Sequence, residues 1–254
     1  MSVIAIFNQK GGVGKTTTCL NLAAAWVRAG DRPLLLDMDP QAHLSLASGV
    51  SAKRGGGMAA FFQKRIPLQR LVQPARGGWY IVPANAELAK VDAMLGQDPK
   101  AATLLNRGMP VEIRQKTTVL LDCCPTLGVL TLNALLAADK VVIPVSADYL
   151  SMQGVKQLEA ALQVLEKRMQ WTYPRRMVVT RFNPRHRLCF EIERQLREQY
   201  GDRVCRTRIG ENVALATSPS AQQDVFQYAP NSGGAADYAD LARELRESGF
   251  LESE

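Results

Sequence analysis

A segment near the start of the chain combines glycines, lysines and threonines in a spacing that can bind a polyphosphate. In such a loop backbone N–H groups point at phosphate oxygens, and the following helix presents its positive dipole end to the same place. Lys15 would contact the β- and γ-phosphates, the Thr16 hydroxyl would ligate Mg²⁺, and Thr17 would reach the α-phosphate. This predicts a nucleoside triphosphate site in the segment, called here the phosphate loop, Asn8, Gln9, Lys10, Gly11, Gly12, Val13, Gly14, Lys15, Thr16, Thr17.

Three aspartates at the ends of apolar runs could complete such a site. Asp37 and Asp39 end one run, and the alternation of side chains along a strand puts them on the same face. Asp122 ends a second run and would hold Mg²⁺ through water. Two such aspartates alone would more often be a turn and a helix cap. The phosphate loop upstream favours the functional interpretation.

The apolar runs that carry these residues alternate with helical patterns along most of the chain. Most runs are rich in Val, Ile and Leu without polar alternation, which is typical of buried parallel strands. The pattern predicts an α/β fold, a doubly wound and mostly parallel sheet with helices on both faces, forming a single domain over residues 1–254. The predicted strands are 3–7, 33–37, 79–82, 118–122, 140–145, 177–180 and 203–206. The predicted helices are 15–28, 86–95, 128–137, 152–169, 188–200 and 235–247.

Two segments interrupt this alternation. Residues 51–57 contain three consecutive glycines beside Lys53 and Arg54, and they predict a flexible loop. Residues 97–110 carry turn signals around a short helix. A doubly wound sheet binds ligands at the carboxyl edge of its strands, where the three aspartates are expected.

The composition is typical of a soluble cytosolic protein. Apolar residues make up 46% of the chain and charged residues 22%, and no run of about 18 apolar residues could span a bilayer. The N-terminus has no basic region of the kind that begins a signal peptide. The five cysteines are odd in number and form no CxxC pair, so we expect reduced thiols rather than disulfides or a zinc site.

Most of the net charge of +7 lies in one stretch of the sequence. Between Arg175 and Arg208 ten arginines stand against four acidic residues, an excess of six positive charges. Such a concentration of guanidinium groups favours a polyanionic partner, because neutralising phosphates releases condensed counterions. A merely solvated basic face is an equally weighted alternative.

The loop that begins at Lys10 resembles the deviant Walker A box of the ParA/MinD family of P-loop ATPases, and Asn8 and Gln9 look like its ParA branch. The resemblance covers nearly the whole chain and is weakest over residues 51–78 and in the last third. It implies an ATP-dependent homodimer in which Lys10 reaches the nucleotide of the partner subunit. An additional cation there would stabilise negative charge that develops during phosphoryl transfer. The expected catalytic residues are Lys10, Lys15 and Asp39.

The segments around the aspartates are similar to two further motifs of the family. The segment from Asp37 to Gln41 is similar to the motif D-x-D-P-Q. The resemblance implies that Asp39 orients or activates the attacking water and that Asp37 supports the Mg²⁺ region. Asp122 is similar to the Walker B aspartate, which binds Mg²⁺. Family members usually have two prolines where this chain has Cys124 and one proline, so the following loop is less constrained.

The resemblance also places a nucleobase site late in the chain. Asn183 follows a predicted strand at the place where the family contacts adenine, and its amide can bond a purine edge. An Asn-Pro turn is an equally weighted interpretation of the same residue. Pro219 is a further candidate, through its backbone.

ParA-type dimers bind DNA without sequence preference in their ATP state, and a partner protein stimulates the hydrolysis that releases them. Here Glu211 and Ala214 replace arginines that the family uses in one loop, so DNA binding would rely on other residues. The resemblance implies a cytoplasmic, nucleoid-associated protein that partitions or positions a plasmid, a chromosome region or a protein assembly with a ParB-like or other adaptor. No N-terminal DNA-reading extension is expected. The candidate DNA-binding residues are Arg185, Arg187, Arg203, Arg206 and Arg208.

Two other functions would use the same phosphate loop. A MinD-like membrane-cycling ATPase needs a terminal amphipathic helix with a basic face. This C-terminus is acidic at residues 252–254, and its last predicted helix buries Tyr238, Leu241 and Leu245. A P-loop synthetase or kinase would transfer the γ-phosphoryl group to a metabolite, but Lys10 and the segment after Asp39 favour hydrolysis in a dimer.

Overall fold

The computed structural model describes residues 1–96 and 98–252. The strands found there are β1 Val3–Ile6, β2 Leu34–Asp37, β3 Gln73–Pro74, β4 Tyr80–Val82, β5 Val119–Asp122, β6 Lys140–Ser146, β7 Arg175–Phe182 and β8 Val204–Gly210. They form one sheet in the order β3-β4-β2-β5-β1-β6-β7-β8. Every neighbouring pair is parallel except β3 with β4. The predicted mostly parallel α/β sheet is confirmed.

Helices cover both faces of the sheet. They are α1 Lys15–Arg28, α2 His43–Ala47, α3 Gly57–Lys64, α4 Ala89–Leu95, α5 Leu104–Gly108, α6 Val111–Lys116, α7 Val129–Ala137, α8 Ser151–Met169, α9 Arg187–Tyr200, α10 Val213–Thr217, α11 Val225–Tyr228 and α12 Gly233–Glu247. On one face Val3 and Ala5 of β1 share a core with α3, α4, α7, α8 and α9. On the other, Ile4 and Ile6 share a core with α1, α2, α11 and α12. The fold is therefore doubly wound.

The central strands bring the predicted site residues to one edge of the sheet. Every residue of β1, β2 and β5 is buried. Asp37 and Asp122 are register partners at the carboxyl ends of β2 and β5, and Ile6 is the partner of Asp122 on β1. Since the phosphate loop follows β1 directly, the loop and the two buried aspartates meet at the same place.

Residues 51–56 form a loop as predicted, and only Gly57, the last residue of that segment, belongs to a helix. Helix α3 begins at Gly57 and buries Met58, Phe61 and Phe62. Gly57 has φ 60, and a Cβ atom there would lie 2.1 Å from the carbonyl oxygen of Pro83. Only glycine fits such a position, so the third glycine marks a tight helix start rather than a flexible linker.

Other differences lie at the sheet edges and between the elements. Strand β3 is short and antiparallel to β4, and it was not predicted because its sequence contains no apolar run. Strand β8 extends to Gly210 instead of ending at Arg206, so it reaches the carboxyl edge. Gln97, in the predicted turn segment, lies outside the described residues, as do Ser253 and Glu254 of the acidic end. Residues 98–110 contain a 3₁₀ turn and α5.

Two further properties concern the whole described chain. All five cysteines are buried and form no disulfide. Burial raises the pKa of the Cys205 thiol to about 12, so this thiol stays protonated at neutral pH. In the part of the chain that the structure describes, none of the helices has the length and apolar character needed to cross a membrane.

Candidate nucleotide-binding site

The phosphate loop joins the end of β1 to the start of α1. Gly12 and Gly14 have φ 72 and 89, a left-handed backbone that favours glycine. Gly14 is the residue before the first turn of α1, which begins at Lys15. The loop therefore turns directly into a helix N-terminus, whose free N–H groups and dipole favour a bound anion.

Hydrogen bonds from neighbouring strands hold the loop in place. Asn8 donates from Nδ2 to the Pro144 carbonyl of β6 at 2.7 Å, and its Oδ1 accepts from the Lys10 N–H at 3.0 Å. Thr180, at the carboxyl end of β7, donates from Oγ1 to the Val13 carbonyl at 2.8 Å. Asn8 and Thr180 are buried, so these bonds are sheltered from water. Asn8 and Thr180 thus act as braces of the loop.

Lys15 lies beneath the loop with its ammonium group turned inward. Its Nζ donates to the Lys10 carbonyl at 3.0 Å. Burial lowers the pKa of Lys15, and the nearby carboxylates of Asp122 and Asp39 act in the opposite direction. A sheltered cation beside a helix N-terminus can pair with phosphate oxygens, as the sequence predicts.

The residues predicted to bind the metal divide into two groups. The Thr16 hydroxyl donates to Asp122 Oδ2 at 2.8 Å, while Asp122 Oδ1 is buried without a hydrogen-bond partner among the described residues. Burial and the neighbouring Asp37 carboxylate raise the pKa of Asp122. A buried carboxylate oxygen without a donor is costly unless a cation or its water satisfies it. Thr16 and Asp122 therefore fit Mg²⁺.

Asp37 makes different contacts, although it lies beside Asp122 in the sheet. Its Oδ1 accepts from the Asp39 N–H at 3.1 Å, and its Oδ2 accepts from the N–H and hydroxyl of Ser45 at 2.9 and 2.5 Å. Burial raises the pKa of Asp37 to about 6, against these hydrogen bonds. Asp37 orders the loop between β2 and α2, and its support of the Mg²⁺ region stays a prediction.

Asp39 is half-buried at the start of the same loop. Its Oδ1 accepts from the Gln41 N–H at 2.9 Å. Its carboxylate opposes the lowering of the Lys15 pKa by burial. This position, after β2 and near the phosphate loop, is compatible with the predicted contact to an attacking water.

Lys10 is held within its own chain. Its ammonium group forms an ion pair with Asp148 and lies 3.4 Å from the hydroxyls of Ser146 and Ser151. Both members of the pair are partly exposed at the end of β6. The two lysines of the loop are therefore held by different partners: Lys15 by the loop itself and Lys10 by the segment after β6.

A cavity of about 450 Å³ extends from the phosphate loop along the carboxyl edge to the end of β8. Its size suits a nucleoside. Arg181 lines it from a left-handed backbone with φ 53, and the Tyr238 hydroxyl is 3.1 Å from Thr18 Oγ1. The lining residues are Gly12, Val13, Gly14, Thr17, Thr180, Arg181, Ile209, Gly210, Glu211, Asn212, Val213, Leu215, Ala216 and Tyr238.

Neither predicted nucleobase residue is part of this lining in the described chain. Asn183 forms a turn in which its Oδ1 accepts from the Arg185 N–H at 3.0 Å, and its Nδ2 donates to Glu211 Oε2 at 3.1 Å. It therefore adjoins the cavity through Glu211. Pro219 lies in a 3₁₀ turn after α10. The cavity residues Arg181 and Glu211 were not predicted as binding residues.

The candidate DNA-binding arginines fall into two groups. Arg208 forms two contacts with the buried Glu193, at 2.7 and 2.9 Å, and stacks on Phe182. Arg203 pairs with the buried Glu159 at 3.1 Å. The charges of these two arginines are thus compensated, which the sequence did not indicate. Among the described residues, no ion pair is formed by the remaining three, the exposed Arg185, Arg187 and Arg206.

Similarity to known proteins agrees with this geometry. Residues 1–173 match the family model described as AAA domain. The chain is 40% identical to the chromosome-partitioning ATPase Soj of Thermus thermophilus, over 95% of this chain and 94% of that protein. It is 34% identical to the chromosome partitioning protein ParA of Caulobacter vibrioides, over 96% and 94%.

A solved structure adds a bound ligand to the comparison. Cobyrinic acid a,c-diamide synthase from Mycobacterium smegmatis, with an ATP analogue and magnesium bound, is 26% identical, with a TM-score of 0.83 over 98% of this chain and 96% of that one. Fold, phosphate loop and relatives together define a P-loop ATPase. The chain belongs to the ParA/MinD family of these ATPases and is of the ParA type.

Proposed function

We propose that this ParA-type ATPase binds ATP with Mg²⁺, dimerises in that state and binds DNA without sequence preference. Slow hydrolysis, stimulated by an adaptor protein, would end each cycle and so partition or position a cargo. The observation that carries the nucleotide part is the buried Asp122 Oδ1, which lacks a donor within the described chain while the Thr16 hydroxyl donates to the other oxygen of the same carboxylate. When bound there, Mg²⁺ would neutralise phosphate charge. A protein with the proposed DNA binding would be cytoplasmic and associated with the nucleoid.

The contacts of Lys10 support dimerisation. Its ammonium group is held at the end of β6 by Asp148 and two hydroxyls. An exposed ion pair of this kind contributes only about 0–1 kcal/mol, so phosphates of a second subunit can replace it at little cost. Lys10 would then stabilise the charge that develops on the partner subunit's nucleotide.

Substitutions at Lys10 and Asp148 test this proposal. Lys10→Ala should prevent the dimerisation that a non-hydrolysable ATP analogue induces, or uncouple dimerisation from the hydrolysis of ATP, whereas Asp148→Ala should raise the dimer fraction with the analogue a few-fold. Size-exclusion chromatography with light scattering measures the dimer fraction and phosphate release measures hydrolysis, and Lys90→Ala, at an exposed position of α4, serves as the lysine control. Normal dimerisation and hydrolysis by Lys10→Ala would contradict the proposal.

The exposed arginines support the DNA part. Arg185 and Arg187 follow β7 at the same edge of the sheet as the nucleotide cavity, and Arg206 lies on the edge strand β8. Guanidinium groups that form no ion pair among the described residues can neutralise phosphates and release counterions. Because Arg185, Arg187 and the nucleotide lie at one edge, a nucleotide-dependent dimer would bring two copies of this pair of arginines together.

The alternative functions have weaker support. The apolar face of α12, with Tyr238, Leu241 and Leu245, is buried in the core and is not available to a membrane. A synthetase would consume ATP only when its acceptor metabolite is present. Release of phosphate from ATP by the purified protein alone would therefore favour the ATPase assignment over a synthetase.

A further inference from the structure

We propose that Glu211 selects the base of the nucleotide by accepting a hydrogen bond from the exocyclic amino group of adenine. This inference rests on the proposed binding of ATP in the cavity. The cavity joins the phosphate loop after β1 to Glu211 after β8, with β6 and β7 between them. Three strand spacings of about 4.8 Å separate β1 from β8 by about 14 Å. A nucleotide with its phosphates on the loop therefore directs its base toward Glu211.

The walls at this end of the cavity are suited to a planar base. Ile209, Val213 and Leu215 supply apolar surface, and they come from the end of β8 and from α10. Apolar walls hold a base by its faces and leave its edge to a few polar groups. Glu211 is an exposed carboxylate at this end, so it can contact an edge.

Glu211 is fixed by hydrogen bonds on both sides. Its N–H donates to the Phe182 carbonyl at 3.0 Å, which continues the pairing of β8 with β7. The next residue, Asn212, caps α10 by accepting from the Ala214 N–H at 2.9 Å. The backbone of Glu211 therefore lies between a strand end and a helix cap, where it has little freedom to move.

Asn183 orients the Glu211 side chain. Because Asn183 Oδ1 accepts from the Arg185 N–H, the amide NH₂ group faces Glu211 and donates to its Oε2 at 3.1 Å. A carboxylate has lone pairs on both oxygens, so Glu211 can still accept from a ligand. Asn183 thus acts as a positioning residue, and the acceptor that meets the base is Glu211.

A carboxylate at the base edge distinguishes purines by the group on C6. The amino group of adenine donates to it, unsubstituted purine gives no such bond, and the carbonyl oxygen of hypoxanthine is repelled. A hydrogen bond to a charged acceptor changes affinity by roughly tenfold or more. We therefore expect the wild-type protein to bind ATP at least about tenfold more tightly than purine riboside triphosphate.

Isothermal titration of the full chain with ATP, purine riboside triphosphate and inosine triphosphate, each with Mg²⁺, tests this inference. Glu211→Ala should reduce the preference for ATP over purine riboside triphosphate to about one, without weakening the binding of the purine analogue. Glu211→Lys replaces an acceptor by a donor and should favour inosine triphosphate over ATP. Glu191→Ala, at an exposed carboxylate on α9, is the matched control and should keep the wild-type preference.

The outcomes separate this inference from the proposed function. If the wild type binds none of the triphosphates, the proposed nucleotide function fails. If the wild type binds ATP but both Glu211 variants keep its preference for ATP, the role of Glu211 is overturned while the ATPase assignment stands. Thermal unfolding of both variants verifies folding, which this exposed side chain should leave unchanged.

Discussion

The carboxyl ends of β1, β2 and β5 and the stretch from β7 to β8 both concentrate charge, but the charges are satisfied in opposite ways. At the first place the buried Asp122 keeps an oxygen without a donor among the described residues. At the second, the buried Glu193 contacts both Arg197 and Arg208, and Glu159 contacts Arg203. The nucleotide site keeps polar capacity for a ligand, whereas much of the arginine-rich stretch uses its charge within the fold.

Charged residues in a sequence can therefore either bind a ligand or form ion pairs within the fold. The charge that a run of arginines presents to solvent can be judged only when the buried acidic residues that pair with them are known. An aspartate can be assigned to a ligand site only when the hydrogen-bond donors that already contact its carboxylate are known. Substitutions in the two regions should therefore affect activity and stability in opposite proportions.

The largest expected effect is on hydrolysis, from Asp122→Asn. Removing this carboxylate should lower the ATPase rate by about 100-fold or more, the scale found when a charge-stabilising group is lost from an active site. Because a buried charge is removed, the unfolding temperature without nucleotide should stay the same or rise. Phosphate release and thermal unfolding measure the two effects, with the exposed Asp240→Asn as control. A stable variant with the wild-type rate would show that Asp122 has no role in the site.

The second effect is on stability, from Glu193→Ala. This change leaves two arginines without their shared buried partner and should lower the free energy of unfolding by about 2 kcal/mol, because both arginines retain some exposure to water. Urea denaturation measures it. Glu198→Ala removes an exposed ion pair with Arg194 and should cost about 0.5 kcal/mol or less. Equal costs for the two variants would contradict an internal role of the Glu193 cluster.

The smallest effect is on the salt dependence of the proposed DNA binding. Arg185→Ala with Arg187→Ala should reduce the slope of log K against log salt by about 2, since each arginine is expected to neutralise one phosphate. Arg208→Ala should leave the slope unchanged and lower stability, because its charge is already taken by Glu193. Electrophoretic or fluorescence titrations over a range of salt concentrations provide the measurement. A similar loss of slope for Arg208→Ala would remove the distinction between the two groups of arginines.

The sequence could predict the parts of the molecule in which local pattern decides the structure. The phosphate loop is contiguous, and Asp37 and Asp122 end buried strands, so periodicity alone places them at the carboxyl edge. The doubly wound sheet follows from the same alternation. Helix α3 was missed because its first glycine is required by the close approach of Pro83, a residue of another element.

The remaining differences depend on contacts between distant residues. Arg203 meets Glu159 across 44 positions, and no local pattern reveals such a pair. Asp37 is bonded by Ser45 because of the turn between β2 and α2, which a motif does not encode. The pairing of Asn183 with Glu211 requires β7 and β8 to be neighbours. Sequence therefore predicted which residues lie at the edge better than which residues they contact.

The hydrogen bonds that hold the phosphate loop have a consequence for how the protein could distinguish ATP from ADP. Asn8 and Thr180 tie the loop to β6 and β7 without any help from a ligand. A receptor that is already ordered gives up little conformational entropy when it is filled. The conformation of the phosphate loop is therefore expected to be nearly the same with ATP and with ADP bound. We therefore expect the difference between bound ATP and bound ADP to appear in the segments that follow Asp39 and Asp122 rather than in the phosphate loop.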